Sequence, residues 1–264
     1  EQKTAHQELV YINCEAVVHT ESFYRINDTF DTNVAAMKLF LEQAIKCQAA
    51  QFINCSTSEI YSMHSFNEGA DENAGVKESD YALLATVEHS QRTSYAAGKL
   101  ITEFFTKEAV MNGLIKGCSI RFANVYSRNE RFSKHIIPHI IQSLYNRSEV
   151  ELLENSRVNR RTFLHNYDSC AAVLALSNTE SALDGSVYNV ATDEEVPIID
   201  LVNIIAEKLR IKNPCIVFKG SRSADPVRRL LNTEKIRRVT EWRPLISLSA
   251  GLDMCIEHIK KDHG

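Results

Sequence analysis

Apolar positions along this chain alternate between two periods, one suited to strands and one to helices. Residues 9–12 and 16–19 are short apolar or β-branched runs split by Asn13-Cys14-Glu15, which predicts a strand ending near Val18-His19. After a polar connection, Asp31-Thr32-Asn33 opens a stretch whose Val34, Met37, Leu41, Ala44 and Ile45 share a helical face as far as Cys47. Residues 51–55 then read as a short buried strand that ends in the polar cluster Ser56-Thr57-Ser58-Glu59. Residues 62–94 are polar and acid-rich around Glu68-Gly69-Ala70-Asp71-Glu72. They predict a long surface loop with one helical turn near 81–87, and loops of that length often carry function. A helix follows over about 94–112, with Leu100, Phe104, Phe105 and Val110 on its apolar side, then a strand over 117–122 that runs into Ala123-Asn124-Val125-Tyr126.

Strand, helix, strand, helix, strand in that order predicts a parallel sheet covered by helices on both faces. Ligands of such sheets bind at the carboxyl ends of the strands. Three polar sites converge there: His19, the Ser56-Thr57-Ser58-Glu59 cluster and Asn124.

The pattern changes after Phe132. Residues 136–141 open a helix, residues 157–161 form a small basic cluster, 168–176 read as helical and 187–190 as a strand. Pro197 starts an amphipathic helix carrying Leu201, Ile204, Ile205 and Leu209, residues 215–218 look like a strand, and 220–229 a loop. Trp242-Arg243-Pro244 makes a turn before a last helix whose buried stripe is Leu248, Leu252, Cys255, Ile256 and Ile259.

Composition narrows the classes. The 264 residues carry 30 basic and 34 acidic side chains, a net charge of -4 with no dense basic block, which argues against non-specific nucleic-acid binding. Seven scattered cysteines without a C-x-x-C pair suggest neither a disulfide framework nor a zinc site. Most of them read as small buried apolar residues of a reducing compartment. No apolar run reaches bilayer length and the start lacks a signal pattern, so the expectation is a cytoplasmic protein with no membrane partner.

The chemistry centres on Tyr95-Ala96-Ala97-Gly98-Lys99. On a helix this spacing puts a phenol and an ammonium on one face, one turn apart. A fixed cation nearby favours phenolate and brings a poor base toward its working range. Tyrosine and lysine also meet at this spacing by chance, so the pair gains meaning only from its surroundings.

Those surroundings are Ser56-Thr57-Ser58-Glu59-Ile60-Tyr61, the Tyr95 to Lys99 segment, Arg121-Phe122-Ala123-Asn124-Val125-Tyr126, Arg161-Thr162-Phe163-Leu164-His165, Tyr188-Asn189-Val190-Ala191, Arg222-Ser223-Ala224-Asp225-Pro226 and Trp242-Arg243-Pro244. Their order resembles the extended short-chain dehydrogenase/reductase family, in its nucleotide-sugar epimerase, dehydratase and decarboxylase branch. The resemblance implies an α/β fold, a doubly wound, Rossmann-like parallel sheet with a smaller C-terminal α/β substrate-binding domain. Residues 1–126 with about 162–192 would form the dinucleotide-binding domain, and about 127–161 with 193–264 the substrate domain.

It further implies transient oxidation of a sugar by NAD, with NADP as the other option. Tyr95 would take a proton from a sugar hydroxyl, Lys99 would hold the nicotinamide ribose and keep the phenol acidic, and Thr57 would bond the same sugar oxygen. Tyr95, Lys99, His19, Asn33 and Ser56 fall where the family holds its cofactor. Glu59 is a candidate acid/base, or else a carboxylate capping the next turn. Because Ser58 stands where glucose-type 4,6-dehydratases have Asp, decarboxylation is an alternative outcome, and a binding or scaffold subunit without catalysis is another. Ser58, Asn124, Arg161, Arg222 and Arg229 look like ligands of a nucleotide-diphosphate sugar, whereas Arg157, Arg160, Arg228 and Arg229 also read as solvated surface charge. The family's Gly-x-x-Gly-x-x-Gly turn and its acidic ribose reader have no counterpart in the 264 residues and are expected in polypeptide outside them. Members commonly pair as homodimers through the tyrosine-bearing helix, for which Phe104, Phe105 and Val110 are candidates.

Overall fold

The computed structural model of the chain describes residues 9–18, 25–61, 75–82, 84, 92–130, 132–223 and 225–262. A four-stranded parallel sheet is its frame, in the order β1 (Val10–Asn13), β2 (Gln51–Thr57), β3 (Lys116–Phe122) and β7 (Asp184–Val190). β2 and β3 are buried on both faces, as parallel strands covered by helices must be. They pair in register, Phe52 opposite Gly117, so closely that a β-carbon at 117 would sit 2.2 Å from the Phe52 carbonyl oxygen.

Helix α1 (Ile26–Phe30) passes through a π-helical stretch, Asp31–Ala36, into α2 (Met37–Lys46), and α3 (Thr93–Met111) crosses from β2 to β3. A second sheet joins β4 (Asn124–Tyr126), β6 (Arg160–His165) and β8 (Glu195–Pro197), with β4 parallel and β8 antiparallel to β6. β5 (Val150–Leu152) pairs with β9 (Ile216–Phe218). Helices α4 (Ile136–Tyr145), α5 (Asn166–Ser177), α6 (Ile198–Lys208), α7 (Glu234–Thr240) and α8 (Leu248–Asp262) complete the chain. Among the described residues no helix is long and apolar enough to cross a membrane.

β6 belongs to two cores at once. Phe163 packs with Tyr126, Ile140, Leu201 and Leu252, while its neighbour Leu164 packs with Ile53, Ile120, Tyr188 and Trp242. Alternation of side chains along a strand makes this sharing automatic. Ile236 and Trp242 also enter the sheet core, although sequence order groups them with the C-terminal part.

Three expectations change. The first strand ends at Asn13 rather than near Val18-His19, because residues 14–18 have no ladder partner, and the helix expected from Asp31 begins at Ile26. The acid-rich stretch 62–74, most of 83–91 and His19 lie outside the described residues. The largest change concerns α3, which buries a polar stripe, Lys99, Thr102, Glu103 and Thr106, against the sheet and leaves Phe104 63 % exposed. The reason is a hydrogen-bonded seam beneath it. Asn13 Nδ2 donates to Asn54 Oδ1 (3.1 Å), and Asn54 Nδ2 donates to Thr102 Oγ1 (3.0 Å) and Ser119 Oγ (3.3 Å). Ser56 Oγ donates to Glu103 Oε1 (2.6 Å), and Arg121 grips both oxygens of that carboxylate at 2.9 and 2.7 Å. Buried polar groups are satisfied here throughout the stripe, so a polar face is a tolerable interior.

Candidate active site

The carboxyl end of β2 supplies Ser56 and Thr57, then a 3₁₀ turn, Ser58–Ile60, carries Ser58 and Glu59. Thr57 is the cap of that turn, its Oγ1 accepting the Glu59 N–H at 3.2 Å, so the turn is capped by the hydroxyl and not by Glu59. The first turn of α3 brings Tyr95 over the same strand end, where its phenol hydrogen-bonds Thr57. Thr57 and Tyr95 therefore meet as expected.

Lys99 meets them differently. It is 2 % exposed, and its Nζ donates to the carbonyls of Cys55 (2.8 Å) and Glu15 (3.2 Å), with burial lowering its pKa. Burial pushes the Tyr95 phenol up to about 12; the Thr57 hydrogen bond works against this, Glu59 reinforces it, and the strongest cationic help is Arg92's rather than that of Lys99. In this arrangement Lys99 positions backbone and presents a donor, and the phenol is not yet acidified. On the segment after β1 its partner is Glu15, and His19 lies outside the described residues.

Asn33 sits buried in the π-helical stretch, a geometry frequent at functional sites. Its Oδ1 accepts the Val17 N–H at 2.7 Å, while its Nδ2 has no partner among the described residues. Ser56 faces Glu103 and so serves the seam described above.

Glu59 is held between two guanidiniums, Arg92 and Arg229. Burial alone would raise its pKa, yet the charges and hydrogen bonds of Arg229 and Arg92 outweigh it and hold the carboxyl well below the usual range. As it stands Glu59 is a permanent anion near neutrality and has no proton to give. Arg229 continues to Asp225 (3.5 Å), which also pairs with Arg161 (2.9 Å) and accepts from Asn159 Nδ2 (2.7 Å). Arg222 lies in the field of the same groups, its backbone pinned to the side chain of Asn155 at both N–H and C=O. Burial and then the charge of Arg229 lower Arg161 to about 10, and burial followed by Arg92 lowers Arg222. Among the described residues, four arginines thus gather around two carboxylates.

Of the remaining basic residues, Arg157 stacks on the Phe218 ring at 3.6 Å, and Arg160 and Arg228 share Glu195. The solvated reading fails for Arg229, which is 7 % exposed. Asn124 stands apart on β4, its Nδ2 donating to the Thr162 carbonyl at 3.4 Å, and Ser58 is buried in its turn. Sequence reasoning missed Arg92 and gave Asp225 no role. Asp225 lay inside a motif already singled out; Arg92 carries no signal beyond preceding Tyr95 by one helical turn.

Residues 2–191 match the model of the NAD dependent epimerase/dehydratase family. Similar curated proteins include an uncharacterised protein of Schizosaccharomyces pombe (26 % identical over 234 residues, 78 % of this chain), a dTDP-4-dehydro-6-deoxyglucose reductase of Escherichia coli (25 % over 187, 69 %) and a dTDP-glucose 4,6-dehydratase of Actinoplanes sp. (23 % over 221, 84 %). The chain spans 60 %, 55 % and 63 % of their respective lengths. Among solved structures, the fold is shared with DesIV, a dTDP-glucose 4,6-dehydratase of Streptomyces venezuelae bound to NAD (TM-score 0.82, 19 % identity, 97 % of this chain and 74 % of that one). It is shared equally with the UDP-glucuronic acid 4-epimerase of Bacillus cereus (TM-score 0.82, 20 % identity, 96 % and 76 %). With 190 of its residues inside the family's model, and with Thr57 and Tyr95 meeting at a strand end, the chain belongs to the NAD dependent epimerase/dehydratase family.

Proposed function

We propose that this chain carries the catalytic and sugar-nucleotide part of an NAD-dependent epimerase or dehydratase acting on a nucleoside-diphosphate sugar by transient oxidation. The observation that carries the reading is the Thr57–Tyr95 hydroxyl pair set beside a cluster of four arginines, Arg92, Arg161, Arg222 and Arg229. A diphosphate brings about two negative charges and acceptor oxygens that suit guanidinium forks. Residues are present that fit the nicotinamide end of the cofactor: Lys99 makes two hydrogen bonds among the described residues although an ammonium has three donors, and the buried Asn33 Nδ2 makes none. Bound NAD would supply the hydride acceptor and a positive ring charge.

Tyr95 then removes the proton of the sugar hydroxyl and Thr57 orients the same oxygen. Arg161, Arg222 and Arg229 hold the diphosphate, and Asp225 spaces two of them. Glu59 gains a catalytic proton only if the ligand draws Arg92 or Arg229 away. The exposed Phe104 face of α3 supports pairing of two copies, and the free cysteines, four of them exposed rather than mostly buried as expected, suit a reducing, cytoplasmic setting.

The test uses the full-length polypeptide with NAD and labelled UDP- and dTDP-sugars, products being identified by NMR. Tyr95→Phe is expected to lose at least about a hundredfold in turnover while still binding the nucleoside diphosphate, a typical loss for a general base. Arg222→Ala should weaken nucleotide binding itself. Tyr95→Phe turning over at the wild-type rate, or no turnover of any donor by wild type, overturns the reading.

A further inference from the structure

β1 and β2 run parallel with Asn13 opposite Asn54, so the next positions, Cys14 and Cys55, emerge side by side at the carboxyl ends of adjacent strands. Their sulfurs are 3.5 Å apart. Neighbouring strands lie about 4.8 Å apart, inside the range of α-carbon separations that a disulfide spans. Cys14 is exposed and Cys55 half-buried, so one thiol faces solvent and the other backs it. Lys99 is fixed across both segments by its bonds to the carbonyls of Glu15 and Cys55.

We propose that Cys14 and Cys55 form an oxidisable thiol pair that reacts with a small-molecule disulfide, Cys14 being the attacking thiol and Cys55 the resolving one. The Cys14 thiolate attacks one sulfur of RSSR, the S–S bond breaks, and the departing RS⁻ takes up a proton. Cys55 then loses its proton and attacks the Cys14 sulfur of the mixed disulfide, releasing the second RSH. Two protein thiols are oxidised by two electrons and one RSSR is reduced to two RSH, so the reaction balances without another reagent.

The surroundings make the pair asymmetric. The hydrogen bond from Cys55 and, against some burial, the charge of Lys99 hold Cys14 down to about 6. That same hydrogen bond, together with burial, pushes Cys55 up, so it stays a thiol until Cys14 has been consumed. Among the described residues, the charged and titratable groups that face the pair are Lys99 and Tyr95 on α3, Glu15 on the segment after β1 and Cys118 on β3. Cys170 and Cys215 are also exposed and act as internal controls.

The experiment needs no turnover, so it is independent of the catalytic reading. Full-length reduced protein is alkylated with iodoacetamide at pH 6 and each cysteine is followed by peptide mass spectrometry. With its thiol held down to about 6, about half of Cys14 is thiolate there against well under a hundredth of an ordinary free thiol, and the lower nucleophilicity of an acidic thiol removes roughly a further tenfold, leaving Cys14 about tenfold faster than such a thiol, with Cys170 and Cys215 followed alongside. With oxidised glutathione the wild type should give a linked Cys14–Cys55 peptide, Cys55→Ser should stop at glutathionylated Cys14, and Cys14→Ser should give neither. Equal alkylation rates for the three cysteines, or a mixed disulfide that persists on wild type, overturns the proposal.

Discussion

Replacing Glu103 tests whether the polar face of α3 is as demanding as its geometry implies. The Glu103 carboxylate accepts from Arg121 Nε (2.9 Å), Arg121 Nη2 (2.7 Å) and Ser56 Oγ (2.6 Å), and the two charged side chains are 4 % and 7 % exposed. Glu103→Gln preserves shape and one acceptor but leaves a buried guanidinium facing a neutral amide. Breaking such a pair from one side costs about 3–5 kcal/mol, and the retained acceptor places this case near 3. Arg121→Met with Glu103→Leu removes both charges. Tyr61 keeps its bond to Asn189 Oδ1 (3.0 Å) while the Ser56 hydroxyl loses its acceptor, so the double variant should lie within about 1–2 kcal/mol of wild type, above the single one, since apolar replacement of a buried pair is itself often near neutral. The assay is urea unfolding read by Trp242, the single tryptophan, which is buried in the core shared with Ile53 and Ile120. At an m-value of about 3 kcal/mol/M, Glu103→Gln should lower the midpoint by about 1 M. A shift below a third of that, or a double variant as unstable as the single one, refutes the reasoning.

Three further outcomes follow from other sites. Gly117→Ala forces a β-carbon against the Phe52 carbonyl, so it should destabilise by about 2–3 kcal/mol in the same assay; an unchanged midpoint contradicts the close strand approach. Asp168 accepts the N–H groups of Leu245 and Ile246, both at 2.9 Å, so Asp168→Ala should cost about 2–5 kcal/mol. It should also red-shift Trp242, whose indole N–H donates to the Asp168 carbonyl; emission and midpoint both unchanged would count against this anchor. Glu59 has a depressed carboxyl pKa, so its contribution is present above the unfolded value of about 4.3 and fades as pH falls toward the folded one. Melting temperatures of wild type and Glu59→Gln should therefore converge between about pH 5 and pH 3, and a gap that stays constant or widens on acidification sinks the ion-pair account.

The sheet was legible because its strands are apolar on both faces: residues 51–55 and 117–122 fall within the observed Gln51–Thr57 and Lys116–Phe122. β4 and β6 were harder to read. Asn124 and the Arg160-Arg161 pair look like loop or surface residues until the parallel pairing of Asn124 with Phe163 gives them a ladder. Thr57 and Tyr95 could be placed together from motif order alone. The restraint of Glu59 could not, since Arg92 and Arg229 are far from it in sequence and reach it only through the fold, Arg229 held in turn by Asp225. The facing of α3 misled for a physical reason: periodicity weighs side-chain polarity, and it cannot see that Asn54, Ser56 and Arg121 wait beneath to satisfy Thr102 and Glu103.

That polar underside also fixes an angle. Adjacent residues of an α-helix are separated by about 100° around its axis, so a helix resting on an oily face can settle into neighbouring azimuths at little cost. α3 cannot, because any rotation would strip the carboxylate of Glu103 from Arg121 and the hydroxyl of Thr102 from Asn54. The bearing of the Tyr95 phenol over Thr57 is thus dictated two turns away, by residues that never approach the reacting atoms.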